Sequence, residues 1–140
     1  MQFSQKEIEL AVKMKEKGLK WPIKDYDYFY SSLYEKTVGN TGKKGSRMLD
    51  LFRKKEIIWL PLFHQCKTIL EKEGYNQINF NIDSTYPDKK MVVNLDINKG
   101  DKYLGQTKYQ IYKKGETVLE AMYKIIIQVL EKEDKDEIHN

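Results

Sequence analysis

Aromatic and basic side chains are concentrated between residues 26 and 53, and their chemistry suits an anionic ligand that carries a ring. Tyrosine rings stack on nucleobases, and arginine forks pair with phosphates. If residues 26–34 form a strand, the three alternating tyrosines share one face. The candidate ligand-binding residues are therefore Tyr26, Tyr28, Tyr30, Lys43, Lys44, Arg47 and Arg53. The alternative is that the tyrosines pack on a helix and the lysines are solvated.

The glycine-rich segment 38–45 is superficially similar to a phosphate-binding loop. The spacing from Gly39 to Gly42 is too short for that motif, and Lys44 stands where a serine or threonine would bind magnesium. Main-chain amides and lysines in such a loop can still hold a phosphate. A plain flexible turn is the alternative.

The sequence predicts no catalytic residue, no metal site and no cofactor. His64 and Cys66 lie two residues apart on a predicted helix, so they point to different faces and form a poor nucleophile–base pair. Asp83 and Asp96 are the one enzymatic alternative, a metal-dependent nuclease in which they meet on neighbouring strands. We expect a binding protein rather than an enzyme.

The composition indicates a folded, intracellular chain. Of its 140 residues 40% are hydrophobic and 12% aromatic, which a disordered chain would lack. A single cysteine fits a reducing compartment, and no signal peptide or membrane span is expected. The net charge is +4, but residues 131–140 hold five acids against two lysines, so the preceding 130 residues carry +7. Such a body attracts anionic partners, although scattered lysines are also typical of a solvated surface.

The hydrophobic periodicity and the caps predict a series of helices and strands. Ser4 and Glu7 form a capping box for the first helix. Residues 48–55 suit either a strand or a short helix. The other predictions are a helix at 5–17, a strand at 26–34, an exposed loop or hairpin tip at 37–47, a helix from the Ile57–Pro61 entry to Gly74, strands at 77–83, 91–97 and 103–113, a turn at 98–101, and a last helix from Thr117.

These elements predict an α+β fold with one antiparallel sheet of three to five strands packed against two or three helices. We expect a single domain at 1–133, with its core at 57–133 and an N-terminal helix and aromatic strand at 1–56. Residues 134–140 are expected to form an acidic, flexible tail.

The order of these elements and the residues at their starts and ends resemble the α/β/α sandwich domain of small phage and prophage proteins. The shared features are Trp59-Leu60-Pro61, the helix that closes at Gly74, the start Gly115-Glu116-Thr117-x-x-Glu120-Ala121, the run 10–18 and Trp21-Pro22. The resemblance implies a phage context, with the protein in the cytoplasm of a bacterial host. It supplies no catalytic residue.

Together these expectations favour a non-enzymatic phage accessory protein that binds a small anionic ligand without a membrane. The most concrete form is counter-defence, in which the protein sequesters a nucleotide immune signal, with a homo-oligomer as one arrangement of the site. A nucleic-acid-binding module and an inhibitor of a host protein are the alternatives. The two Arg residues of the chain argue against a large base-reading interface.

Overall fold

The computed structural model describes residues 2–31, 37–43, 48–54, 56–83, 92–101 and 106–139. These residues form four helices and six strands in two three-stranded antiparallel sheets. The predicted α+β class is confirmed, with two sheets in place of one. The chain consists of two compact units, an N-terminal unit, Met1–Leu62, and a C-terminal unit, Phe63–Asn140, and the expected single domain at 1–133 stays a prediction.

The N-terminal unit contains two helices and one sheet. Its elements are α1 (Gln5–Glu16), β1 (Tyr28–Ser31), β2 (Thr37–Asn40), α2 (Met48–Arg53) and β3 (Ile57–Trp59). The predicted capping box of α1 is confirmed, because the Ser4 hydroxyl accepts from the Glu7 amide and the Glu7 carboxylate accepts from the Ser4 amide. Gly18, with φ +94°, follows the helix in the left-handed conformation that ends many helices.

An aromatic cluster forms the core of the N-terminal unit. The sheet order is β2-β1-β3, and its register pairs Phe29 with both Gly39 and Trp59. The buried Trp21 stacks on Trp59 at 6.1 Å between ring centroids and meets Phe52 edge-on at 5.4 Å. Such aromatic pairs stabilise a fold beyond the area that they bury.

The C-terminal unit consists of a meander sheet and two helices. Its elements are α3 (Phe63–Lys72), β4 (Gln77–Asp83), β5 (Val92–Asp101), β6 (Gln106–Gly115) and α4 (Val118–His139), with strand order β4-β5-β6. Val93, Leu95 and Ile97 alternate along β5 and are fully buried. The α4 helix contacts β5 and β6 and supplies most of the remaining core.

Two segments of the N-terminal unit differ from the sequence prediction because strand pairing outweighs local signals. Residues 57–61 were expected to open a helix, but Ile57–Trp59 forms β3 and α3 begins only at Phe63. β-Branched and aromatic residues suit a paired strand, and β1 supplies the partner. Thr37–Asn40, expected to belong to an exposed loop or hairpin tip, forms β2, which pairs with β1. The Phe29 ring lies so close over Gly39 that a Cβ at this position would clash with it.

Further differences lie at the ends of elements. Residues 98–101 were expected to be a turn, but β5 continues to Asp101, and the glycine coincides with a register shift between Lys99 and Gly100. The predicted strand 26–34 begins only at Tyr28, and its residues 32–34 lie outside the described part of the chain. The ambiguous segment at 48 is the helix α2. The backbone of α4 includes residues 134–139 of the expected tail. Among the described residues, no helix is long and apolar enough to span a membrane.

Candidate ligand pocket of the N-terminal unit

An open pocket of about 780 Å³ lies in the N-terminal unit beside the C-terminal end of α1. Such a volume lies within the range of small-molecule sites. The lining residues come from α1, the segment that follows it, α2 and β3: Val12, Lys15, Glu16, Gly18, Leu19, Lys20, Trp21, Phe52, Arg53 and Ile58. The pocket therefore combines an aromatic wall, aliphatic side chains and several charged groups.

Trp21 is held in this wall by a buried hydrogen-bond network. Its indole nitrogen donates to Oδ2 of Asp27 at 2.8 Å, and the Lys24 amide donates to the same oxygen at 2.9 Å. The Asp27 amide donates in turn to the Thr41 hydroxyl, which donates to the Lys24 carbonyl. The structure shows a buried carboxylate that fixes the segment carrying Trp21.

Phe52 is placed in the wall by Lys15. The Lys15 ammonium donates hydrogen bonds of 2.6 and 2.7 Å to the carbonyls of Phe52 and Ile57, and it lies 4.2 Å from the centre of the Phe52 ring. A cation at the last carbonyls of a helix stabilises that end. Lys15 thereby connects α1 to the end of α2 and to the start of β3, the three elements that enclose the pocket.

The charge at the pocket is mainly positive. Lys15, Lys20 and Arg53 are three cations against the single acid Glu16. Lys20 and Arg53 are exposed, whereas Lys15 is half-buried and bonded to main-chain carbonyls. The two exposed cations are thus accessible to a bound anion, and Arg53 offers the forked geometry that fits a phosphate or carboxylate.

A buried donor lies beside the pocket. A narrow crevice lined by Ala11, Lys15, Leu19, Phe52 and Trp59 shares three of these residues with the pocket. Trp59 is 4% exposed, and its indole nitrogen has no hydrogen-bond acceptor within the described part of the chain. Buried polar groups are nearly always paired, but the crevice has no room for a water molecule, so this nitrogen is an unsatisfied group of the core and not a contact for a ligand.

Five of the seven predicted site residues lie in the described part of the chain, and the structure does not bring these five together. Of the five, only Arg53 lines the pocket. Tyr26 precedes β1 and does not continue its face: it lies in a turn with φ +64° and is 56% exposed. Its amide donates to the Gly42 carbonyl, so it lies next to Lys43 at one end of the β1–β2 pair. A bulky side chain at positive φ is strained and is retained only where its surroundings enforce it.

The remaining predicted site residues that the structure describes lie outside the pocket lining. Tyr28 and Tyr30 share a face of β1 and are half-buried, and the Tyr28 ring contacts Phe3 at 5.7 Å. Lys43 is exposed. Lys44 and Arg47 lie outside the described residues.

The geometry argues against the acidic and thiol alternatives. The register pairs Asp96 with Asn79, four residues from Asp83, which separates the two acids by roughly 13 Å along the sheet. Cys66 is fully buried, and burial raises the pKa of its thiol well above 9.0, while His64 is exposed. In the described ranges, no group of three or more His, Cys, Asp or Glu residues could hold a metal ion.

Sequence reasoning missed Lys15, Lys20, Trp21 and Phe52, which with Arg53 form the aromatic and basic parts of the pocket. In the sequence, Trp21 stood out only as part of the Trp21-Pro22 pair of the phage-domain resemblance. The available signal was a tryptophan placed three residues after the helix stop at Gly18. An aromatic residue that follows a cap so closely must fold back on its own helix or on a neighbour.

No protein-family model, curated protein or solved structure matches the chain. The phage-domain resemblance therefore stays a prediction, and the functional argument depends on the pocket itself.

Proposed function

We propose that this protein is a non-enzymatic binding protein whose N-terminal unit takes a small anionic molecule with an aromatic ring, such as a nucleotide. The observation that carries the proposal is the pocket of about 780 Å³ with Trp21 and Phe52 in its wall and Lys20 and Arg53 exposed beside them. The ring of the ligand would lie against the aromatic wall, and its anionic group would meet the two cations.

Each part of the pocket supports one feature of this ligand. Stacking on an aromatic ring contributes about 1–3 kcal/mol per base and tolerates different bases. Arg53 pairs with phosphate through two parallel hydrogen bonds. The site thus favours a ring joined to an anion over either group alone.

Sequestration of a nucleotide immune signal is the narrower form of this proposal. It requires stoichiometric binding and no chemical step, which agrees with a pocket built from stacking and charged groups. The phage context comes from the sequence resemblance alone, so the ligand class is the part of the proposal that the pocket supports.

Native mass spectrometry after incubation with a mixture of mono-, di- and cyclic dinucleotides tests the proposal. We expect wild type to retain one nucleotide mass per chain. The Lys20→Ala/Arg53→Ala variant should lose it, because both exposed cations of the pocket are removed. The Lys43→Ala variant, which removes an exposed cation outside the pocket lining, should retain it. Wild type that stays bare with every nucleotide would overturn the proposal.

Single-stranded nucleic acid is a second candidate, favoured by the exposed, left-handed Tyr26 next to Lys43. A ring presented in this way can stack on a base while the lysine meets a phosphate. Anisotropy of a labelled oligothymidylate would then show an affinity that falls steeply with salt. Tyr26→Ala should weaken this binding and Arg53→Ala should not, whereas binding independent of salt would exclude the candidate.

A further inference from the structure

The two edge strands of the sheet in the C-terminal unit differ in their content of lysine, the residue type that commonly protects a sheet edge. Among the described strands the order is β4-β5-β6, so β4 and β6 are its edges. Exposed edges are commonly protected from further pairing by lysine or proline. β6 contains Lys108, Lys113 and Lys114, whereas β4 has no lysine or proline, and its one charged residue, Asp83, is its last. The β4 edge therefore lacks this protection.

The apolar face of the sheet also extends to this edge without full cover. Phe80 is paired with Leu95 and Ile82 with Val93, and both β5 residues are fully buried. Directly opposite residues share a face of a sheet, so Phe80 and Ile82 belong to the core-facing side. They are nevertheless 56% and 50% exposed. Large apolar side chains at an open edge indicate an interaction surface.

The sequence of β4 is self-complementary in the antiparallel direction. A two-fold axis at Phe80 places Phe80 opposite its own copy, Ile78 opposite Ile82, and Asn79 opposite Asn81. Apolar residues then meet apolar residues on one face, and amides meet amides on the other. Asp83 is placed opposite the neutral Gln77, so no like charges are opposed. Isologous contacts of this kind are the commonest way in which protein chains form dimers.

We propose that a second copy of this chain pairs with β4 along its edge, in antiparallel register centred on Phe80, to form a continuous six-stranded sheet. Among the described strands β4 pairs only with β5, so this pairing would give each β4 a second neighbour and would cover Phe80 and Ile82. A hollow of about 300 Å³, lined in part by Phe63, Lys67, Ile78 and Phe80, lies beside the edge. The partner's Ile82 would stand opposite Ile78 at this hollow. The surface lies in the C-terminal unit, so the inference does not depend on the proposed ligand.

Opposite charges at the two-fold axis test this register by sedimentation equilibrium. Wild type should be a dimer that dissociates on dilution. Phe80→Lys and Phe80→Glu should each be monomeric, because each opposes like charges at the axis. An equimolar mixture should recover the dimer, since residue 80 faces only residue 80 of the other copy. Wild type that stays monomeric to about 200 µM, or a mixture that does not dimerise, would overturn the inference.

Disulfide trapping tests the same contact without depending on a charged substitution. Opposite residues in an antiparallel pair have α-carbons about 4.5–5.5 Å apart, within the range of a disulfide. Cys66, the single native cysteine, is fully buried, and we expect it not to cross-link because buried thiols are inert. Oxidised Phe80→Cys should run as a covalent dimer on a non-reducing gel, and Tyr112→Cys on β6, where the native side chain is 50% exposed, should not. Equal cross-linking of both variants would show random collision and refute the register.

Discussion

The ammonium group of Lys15 lies 4.2 Å from the centre of the Phe52 ring and donates a 2.6 Å hydrogen bond to the carbonyl of the same residue. One side chain of α1 thereby fixes both the end of α2 and the ring that forms a pocket wall. Because the second carbonyl that it contacts belongs to Ile57, Lys15 also fixes the start of β3. The pocket therefore depends on a residue that the sequence did not mark as a candidate for ligand binding.

Lys15→Met keeps the aliphatic stem and removes the charged donor. We expect a loss of about 2 kcal/mol in the free energy of unfolding, since two half-buried carbonyls lose a charged hydrogen-bond partner. Urea unfolding measures it. Lys13→Met is the matched control, because Lys13 is an exposed residue of the same helix and should change stability by less than about 0.5 kcal/mol. Equal effects of both variants would contradict the assigned role of Lys15.

Asp27→Ala removes the acceptor that positions Trp21. The buried indole N–H and the Lys24 amide both lose their partner, so we expect a loss of about 3 kcal/mol in unfolding free energy. The Trp21 emission should change as well, because the indole loses its contact with the carboxylate. Asp25→Ala, at an exposed neighbouring position, is the control and should resemble wild type in both measurements. An unchanged unfolding midpoint for Asp27→Ala would show that the network does not stabilise this segment.

Gly39→Ala tests the covering of Gly39 by Phe29. A Cβ at this position would lie 2.6 Å from the Phe29 ring, so the ring must shift and its contact with Trp21 is disturbed. Overpacking of this kind typically costs about 1–3 kcal/mol, measurable by thermal or urea unfolding. The double variant Phe29→Leu/Gly39→Ala should lose less than the sum of the two single variants, because the smaller side chain leaves room for the methyl group. If the losses in unfolding free energy of the two single variants simply add in the double variant, the clash between the new methyl group and the Phe29 ring is not the cause of the destabilisation.

The fold class and most of the elements could be predicted because their signals are local. The Ser4–Glu7 box, Gly74 after α3 and the alternation along β4 depend on residues close in sequence. β3 could not be predicted in this way. Ile57–Trp59 is a strand because β1, about 28 residues earlier, pairs with it. The three apolar residues by themselves do not indicate that a distant strand will pair with them.

The candidate site was less predictable for a related reason. The tyrosine pattern at 26–30 was interpreted as one strand face, but the left-handed turn at Tyr26 breaks the alternation before β1 begins. The pocket collects residues of α1, α2 and β3, and only Arg53 stood out in sequence, through its charge and type. Lys15 and Phe52 acquire their roles from a contact between residues 37 positions apart.

Cys66 gives a prediction about alkaline pH. Burial raises the pKa of its thiol above the ordinary value of 9.0. Above that pH the unfolded chain loses the proton and the folded chain keeps it, so the unfolded state binds fewer protons and the free energy of unfolding falls as pH rises. This group alone should remove about 1.4 kcal/mol between about pH 8 and pH 10.

Cys66→Ala lacks this titration, so it is the reference with which the stability of wild type is compared at each pH. Wild type should be the more stable protein at about pH 8, because the variant has a core cavity. The difference in unfolding free energy should then narrow by about 1.4 kcal/mol at about pH 10. A difference that stays constant with pH would show that the thiol titrates alike in both states.

The most direct test of the pocket is a fluorescence titration that uses the native tryptophans. The chain has two, Trp21 in the pocket wall and Trp59 in the adjoining crevice, so the whole tryptophan signal comes from this region. With the nucleotide retained in mass spectrometry, or with 8-anilinonaphthalene-1-sulfonate as a general aromatic anion, we predict saturable quenching at one site per chain. Arg53→Ala should weaken the affinity about tenfold, and Lys43→Ala should leave it unchanged. No saturable quenching of wild type, or equal weakening by both variants, would contradict the assignment of this pocket as the ligand site.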